Sequence, residues 1–491
     1  MDYTIDTVWN PAASTEGNRL TSLALDEFVG LTAVPRPGFH MGSVIAYCQA
    51  WADKHGFAHG RDDYGNFWMD VPATPGFENH PKVILQAHMD MVCVAAAGKT
   101  IDFKTEGVTP VLKGTRLTAD GTSLGADNGI GMAAAMAVAV GAAEHGPLRC
   151  LFTADEDVGL VGAAHMDPSL LDCDLLVNID LEEENQLCYS CAGNLRATMK
   201  KTADVDAVTA AETLLNVSVT NLLGGHSGMD IHKNRLCGAK ALVGLLAGVE
   251  GVRLVSVKAG TALNAISQNA GAVIALPAAR LDAFVAHVEA VQEAWKTTYP
   301  NETPELAVDI LTGQVDALSV EDSRTVIELV AALPQGVIAM SQKVEGLVQT
   351  SSNVGVFTVE NGAVEVGTSS RSCVTADVEA LETRFAGMAE QAGLAFTALG
   401  KYPGWDGAPD SPLTRLFESA YAHFGVKAEL VAIHAGLEPS WFSAKRPGMQ
   451  MVCLGPTLTG AHTTDETLRL DTLAPTMDVL LHALKRVDTL A

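Results

Sequence analysis

Basic residues are scarce in this chain. Lys and Arg number 32 against 58 Asp and Glu, a formal net charge of −26. So acidic a surface repels phosphate backbones and anionic membranes, which argues against nucleic acid or lipid as a partner. It gathers cations, or is simply a solvated acidic face. Long apolar runs are also missing. The longest candidate, near Ile130–Ala143, is rich in Ala and Gly and falls short of the ~20 residues that span a bilayer. The opening MDYTIDTVWN has no basic stretch leading into an apolar run, so no secretory signal is expected. The nine cysteines form no regular framework, and an odd number cannot all pair internally. That suits a reducing, cytoplasmic setting. Cys188 and Cys191 make a lone C-x-x-C, which by itself is weak evidence for redox or metal use. The H-E-x-x-H of many single-zinc proteases is absent.

What is present is ample core material. The chain has 491 residues, 48% hydrophobic and 18% charged. That is too long for one core and points to two or three domains. Residues 17–31 and 41–56 read as amphipathic helices. Four short apolar runs then share one layout. Val83–Ala87 leads into His88, and Leu148–Thr153 leads to Asp155, Glu156 and Asp157. Leu175–Ile179 leads into Asp180, and Met451–Leu454 precedes a loop bearing His462. Each reads as a buried strand with a metal-capable side chain past its carboxyl end. Asn128–Ala143 reads as a helix with Asp127 as its N-cap.

Strands alternating with helices predict an α/β fold with a mainly parallel sheet, and such sheets bind ligands at the carboxyl ends of their strands. The four polar tips are therefore expected to meet. After about Gly193 the texture changes to alternating strands at Leu214–Leu222, Val252–Val257 and Ala272–Leu276, with helices at 236–250 and 279–296. This predicts an inserted α+β domain over 195–400 within a discontinuous catalytic domain of residues 1–194 and 401–491. Helices near 413–425 and 476–488 close the chain.

His88, Asp127, Asp157, Asp180 and His462 supply the imidazoles and carboxylates that two neighbouring divalent ions require. Their separation in sequence leaves the site unproven by spacing alone. Asp90 lies two residues after His88, on the same side of an extended segment. From there it can support the imidazole or its surroundings, or be an ordinary surface acid. Asp127 at a helix N-terminus suits a bridging ligand held ionised by the helix dipole, or a plain cap. The run Asp155-Glu156-Asp157 is costly without cations. One acid can bind metal while its neighbour takes a proton from water, or all three can be a solvated turn. Histidines 55, 59, 145, 165, 287 and 482 lack such context and read as structural.

The stretches L-Q-A-H-M-D-M-V, L-G-A-D-N-G-I-G-M, D-E-D-V-G, N-I-D, G-G-H-S-G, N-V-G-V, Y-P-G-W, H-A-G-L-E and G-P-T-L-T-G-A-H occur in that order. Together they resemble the aminoacyl-histidine dipeptidases, within the co-catalytic di-zinc peptidases that include peptidase T and carnosinase. The resemblance runs from about residue 20 to 485. It implies a zinc-peptidase domain with a lid domain inserted, and hydrolysis of Xaa-His and other dipeptides. It implies two divalent ions, zinc with cobalt or manganese as alternatives. His88 and Asp180 would hold one ion and Asp157 and His462 the other, with Asp127 bridging and Glu156 as general base. His226 would steady the oxyanion, reaching in from a neighbouring subunit in dimeric relatives. Asn264 and Arg371 would bind the terminal carboxylate, since a guanidinium forks well onto that group. His434 and Glu438 could face the substrate, for instance its amino group, or belong to a packed loop. The family usually has Glu-Glu where this chain has Glu156-Asp157, so the second ligand is one methylene shorter. A competing reading is an N-acyl-amino-acid amidohydrolase with the same metals. Another is a non-catalytic metal-binding scaffold, against which the intact Glu156 speaks.

Overall fold

The computed structural model describes residues 9–490 apart from 343 and 345. The chain divides into two compact units. Unit 1 comprises residues up to Cys191 together with Asp406–Ile433 and Leu437–Ala491; unit 2 comprises Ala192–Trp405 and His434–Gly436.

Unit 1 is built on an eight-stranded sheet. Its centre consists of Leu148–Thr153, Val83–His88, Leu175–Asn178 and Gln450–Cys453, hydrogen-bonded in that order and all parallel. Every residue of Val83–His88 and of Leu148–Thr153 is buried, as parallel strands covered on both faces must be. The flanks are less regular. Phe67–Val71 pairs antiparallel with Leu148–Thr153, and Ala58–Arg61 pairs antiparallel with Phe67–Val71. On the other side, Cys453 pairs with Cys188 of Gln186–Cys191 in antiparallel sense. The sheet is thus parallel at its centre and mixed at its edges.

The helices of unit 1 follow from local sequence. Ser14 caps Thr15–Thr32, its hydroxyl accepting from the Gly17 N–H at 2.9 Å. Leu20, Ala24, Phe28 and Leu31 recur at helical spacing and are fully buried. The Ala-rich helix Ala126–Gly141 is buried over Asn128–Ala139, because it packs on both the strand Val83–His88 and the helix Thr15–Thr32. Burial of Met132 and Met136 is worth about 1.5–3 kcal/mol each. The expected Asp127 cap is not found. Asp127 and Asn128 have non-helical backbone, and the Asn128 side-chain oxygen accepts from the Gly131 N–H at 3.1 Å. Asn128 therefore does the capping, which leaves the Asp127 carboxylate free for other partners.

Unit 2 has a nine-stranded sheet. Its long strands Val348–Glu360, Ala363–Ser372, Gly193–Thr202 and Ala395–Tyr402 pair antiparallel in that order. Glu212–Thr220, Ala270–Pro277 and Arg253–Ala259 continue the sheet on the other side. Helices Gly238–Leu246, Leu281–Thr298, Val320–Ala332 and Thr375–Gln391 accompany it. Its core is separate from that of unit 1 and centres on residues such as Leu215, Leu242, Ile274, Phe357 and Phe385. Among the described residues no helix is long and apolar enough to cross a membrane. All nine cysteines are free thiols, and the Cys188 Sγ donates to the Ser190 carbonyl at 3.2 Å.

Candidate metal centre

The carboxyl ends of the central strands of unit 1 bring the predicted acids and imidazoles together. His88 ends its strand and is 1% exposed. Its Nε2 stands 2.9 Å from Asp127 Oδ1, 3.6 Å from Asp180 Oδ1 and 3.9 Å from Glu156 Oε2. His462 occupies a loop with a left-handed backbone at φ 63°. Its Nε2 lies 3.0 Å from Asp127 Oδ2 and 2.9 Å from Asp157 Oδ1. Asp127 is thus shared, one oxygen to each histidine. Ligand atoms of His88, Asp127 and Asp157 all fall within 4.8 Å of one another.

The supporting bonds explain how four separate segments hold this register. Asp90 is fully buried, and its two oxygens accept from the N–H groups of Glu156 at 2.9 Å and Asp157 at 3.1 Å. Its contact with the His88 ring is longer, 3.5 Å to Nδ1, while the Asp90 carbonyl stands 3.2 Å from the same nitrogen. Asp90 therefore acts chiefly on the backbone of the acidic turn. In the acidic run, Asp155 faces away from the cluster. It has a left-handed backbone and accepts from the Phe39 N–H at 2.6 Å and the Tyr64 hydroxyl at 2.9 Å. Glu156 and Asp157 are left to face the histidines. The Asn128 amide donates to Asp180.

Glu438 lies among buried polar partners. It is fully buried, and its Oε2 accepts from Gln86 Nε2 at 2.5 Å and from the Thr153 hydroxyl at 2.7 Å. It ties together the ends of two central strands, while its Oε1 is buried without a hydrogen-bond partner. Burial pushes its carboxyl up to about 7.

The electrostatics are those of crowded acids around two imidazoles. Burial lifts Glu156 well above the carboxylate range; His88 opposes this, while Asp180, Glu438 and Asp157 add to it. Burial lifts Asp180 too, with Asp127, Glu438 and Asp157 reinforcing against His88. Asp127 goes the other way: burial opposes, but bonds from His462 and His88 hold it below the usual range. Bonds to Asp127 and Asp157 raise His462 to about 11. Imidazoles and carboxylates in this proportion form a donor set suited to divalent ions such as zinc. The buried Oδ2 of Asp157 has no hydrogen-bond partner, an acceptor that a cation would satisfy. The residues fit a metal.

The other four predicted residues lie together in unit 2. The segment Gly225–His226 pairs with Ala265–Ile266, next to Asn264, whose carbonyl accepts from the Ser227 N–H at 2.9 Å. His226 Nδ1 accepts from the N–H groups of Gly228 at 3.3 Å and Met229 at 3.2 Å. Its proton is therefore placed on Nε2. Burial, then Arg371 and Arg196, hold the ring below its ordinary value. A side chain on Gly228 would meet the His434 carbonyl at 2.6 Å and both Arg371 Nε and His226 Cε1 at 3.2 Å. Glycine is what lets these three approach. Arg371 is 5% exposed and its Nε has no partner, so it is not a surface arginine. His434 Nε2 lies 2.7 Å from Ser351 Oγ, and burial followed by Arg371 pushes its value down to about 3.

Sequence reading passed over Arg36, Asn128 and Glu466. Arg36 is 1% exposed, and Glu466, four residues after His462, is 2% exposed. The one available signal was a fully charged residue flanked by prolines in V-P-R-P-G.

A cluster of carboxylates and imidazoles at the carboxyl ends of parallel strands, buried except for the half-exposed His462, is a donor set for divalent ions. The chain belongs to the peptidase family M20/M25/M40, whose sequence profile matches residues 84–486. It is therefore a hydrolase acting on peptide bonds, as the ordered motifs implied. It is 36% identical over 469 residues to the cytosol non-specific dipeptidase of Escherichia coli, covering 94% of this chain and 97% of that one. It is similar to the solved aminoacylhistidine dipeptidase of Vibrio alginolyticus, with a TM-score of 0.90, 34% identity, and coverage of 99% and 98%. The aminopeptidase PepT of Bacillus cereus shares the fold at a TM-score of 0.58 and 15% identity, with 95% and 98% covered.

Proposed function

We propose that this peptidase hydrolyses dipeptides, Xaa-His among them, at a pair of divalent metal ions with Glu156 as general base. The observation that carries the reading is the sharing of Asp127: His88 and His462 address its opposite oxygens at 2.9 and 3.0 Å. His88 and Asp180 would hold one ion, Asp157 and His462 the other, and Asp127 both. Zinc is the proposed ion, with cobalt or manganese able to replace it. When bound, such ions supply Lewis acidity toward a carbonyl oxygen and acidify water.

The remaining work belongs to the chain. Glu156 stands beside the ligand set with its own N–H pinned by Asp90. In this reading it would take a proton from the attacking water and return it to the leaving amine. His226, with its proton on Nε2, is a donor for a developing oxyanion. Arg371, supported by Asn264 and His434, would take the substrate's terminal carboxylate. A terminal carboxylate held at a fixed place makes a ruler that favours dipeptides. Unit 2 would serve as the lid and dimerisation domain of a cytosolic homodimer.

The two relatives described above at 36% and 34% identity are dipeptidases by name, which weighs against the N-acyl-amino-acid deacylase. The test is a panel of Xaa-His and other dipeptides beside N-acetyl amino acids, with and without chelator, on protein of measured metal content. Chelator-sensitive turnover of the dipeptides is expected. Preferential turnover of the N-acetyl substrates would sink the reading.

A further inference from the structure

We infer that Glu466 and Arg36 are positioning residues that hold the Asp127 turn in its ligand geometry before any metal arrives. The inference rests on the metal-site reading above and adds two residues to it.

The turn Leu124–Asp127 is an awkward piece of backbone. Leu124 and Ala126 are fully buried, so their N–H groups cannot turn to water and each must find an acceptor. Glu466 provides it for four successive groups. Its Oε2 accepts from Leu124 at 2.7 Å and Gly125 at 2.9 Å, and its Oε1 from Ala126 at 2.7 Å and Asp127 at 3.2 Å. Successive N–H groups converging in this way form an anion-binding concavity. Here the chain fills it with its own carboxylate.

Arg36 grips the same turn from its other side. Its Nη2 donates to the Gly125 carbonyl, and its Nη1 to the carbonyls of Met89 and Asp90, both at 3.0 Å. The Gly125 residue is thus held at its N–H by Glu466 and at its carbonyl by Arg36. A side chain there would come within 2.5 Å of Arg36 Nη2, and the backbone φ is 69°. Glycine is required for both reasons.

The arrangement joins loops that carry different ligands. Glu466 links the His462 loop to the Asp127 turn, and Arg36 links that turn to the segment after His88. Neither side chain has been assigned to the reacting atoms. Their effect is to fix where Asp127 stands relative to the two histidines, so that metal uptake need not order a loop. Groups that orient ligands from behind typically change metal affinity 10–100-fold when removed.

The experiment uses the full-length protein stripped with chelator. Zinc affinity is measured by competition with a chromophoric chelator for wild type, Asp127→Asn and Glu466→Gln, with circular dichroism to confirm folding. Glutamine keeps the shape of Glu466 but turns an N–H₂ toward backbone N–H groups. Glu466→Gln is expected to bind zinc about 10–100-fold more weakly. Its kcat should recover toward wild type once zinc is saturating, which a residue acting in the chemistry would not allow. A wild type that takes up no zinc overturns both readings. A folded Glu466→Gln that binds as tightly as a metal-binding wild type overturns this one alone. A second measurement needs no variant: amide hydrogen exchange of metal-free wild type should show Leu124–Asp127 as protected as the central strands. Fast exchange there would overturn the inference even if the variant failed to fold.

Discussion

Asp127 sets one carboxylate oxygen 2.9 Å from His88, and its other oxygen is left for a histidine 335 residues further along the chain. On the proposed metal-site reading, a carboxylate shared in this way is the point on which both ligand groups would depend. Asp127→Asn, which removes the negative charge and one of the two oxygens to be shared, is expected to lose bound metal and activity together. Metal analysis beside a dipeptide assay checks this; full metal content with lost turnover would mean that Asp127 does something other than bridge.

Glu156→Gln is expected to behave differently. The base is removed while the ligands remain, so metal content should hold and kcat should fall about 10²–10⁴-fold, the usual worth of a positioned general base. A variant with wild-type turnover would exclude Glu156 from that role.

Arg371 is expected to read the substrate's terminal carboxylate. Hydrogen bonds to charged groups are worth about 1.5–3 kcal/mol, or roughly 10–150-fold. Arg371→Met should therefore weaken kcat/KM by that order for free dipeptides and little for their C-terminal amides. Equal losses on both substrates would place Arg371 in a structural role instead.

His434 makes a prediction about pH. Its folded value of about 3 lies below the ordinary histidine value of about 6.5, so the folded state carries fewer protons than the unfolded one between them. The stability it contributes is complete above about 6.5 and is lost as pH falls toward about 3. His434→Gln keeps a polar partner for Ser351 and removes the titration. Its metal-free melting temperature should fall less steeply with acid than that of wild type; parallel curves would refute the assignment.

Much of unit 1 was legible because its central strands are buried on both faces. A run such as Val83–Ala87 is almost wholly apolar, broken only by Gln86, and the residue after it then stands at the carboxyl end of its strand. The ordered motifs supplied the family in the same way. The roles of Glu466, Arg36 and Asn128 were not legible. Each is defined by backbone groups of a distant segment, and no local pattern records which N–H or carbonyl a side chain will meet. The misplaced helix cap shows the same limit. Asp127 and Asn128 are adjacent, both are good capping residues, and only the pull of two remote histidines decides which is released. Glu438 could not be assigned between the substrate and a packed loop, because nothing nearby in sequence announces Gln86 and Thr153 as its partners.

The discontinuity of unit 1 carries a consequence for biosynthesis. The strand Gln450–Cys453 fills a central place in its sheet, and His462 follows it. A ribosome releases all of Ala192–Trp405 before either is made. Proteins emerge amino terminus first and fold domain by domain, so unit 2 can complete itself while unit 1 still lacks an inner strand. On the metal-site reading proposed above, a nascent chain that has not yet reached His462 would lack one side of the centre however complete unit 2 had become.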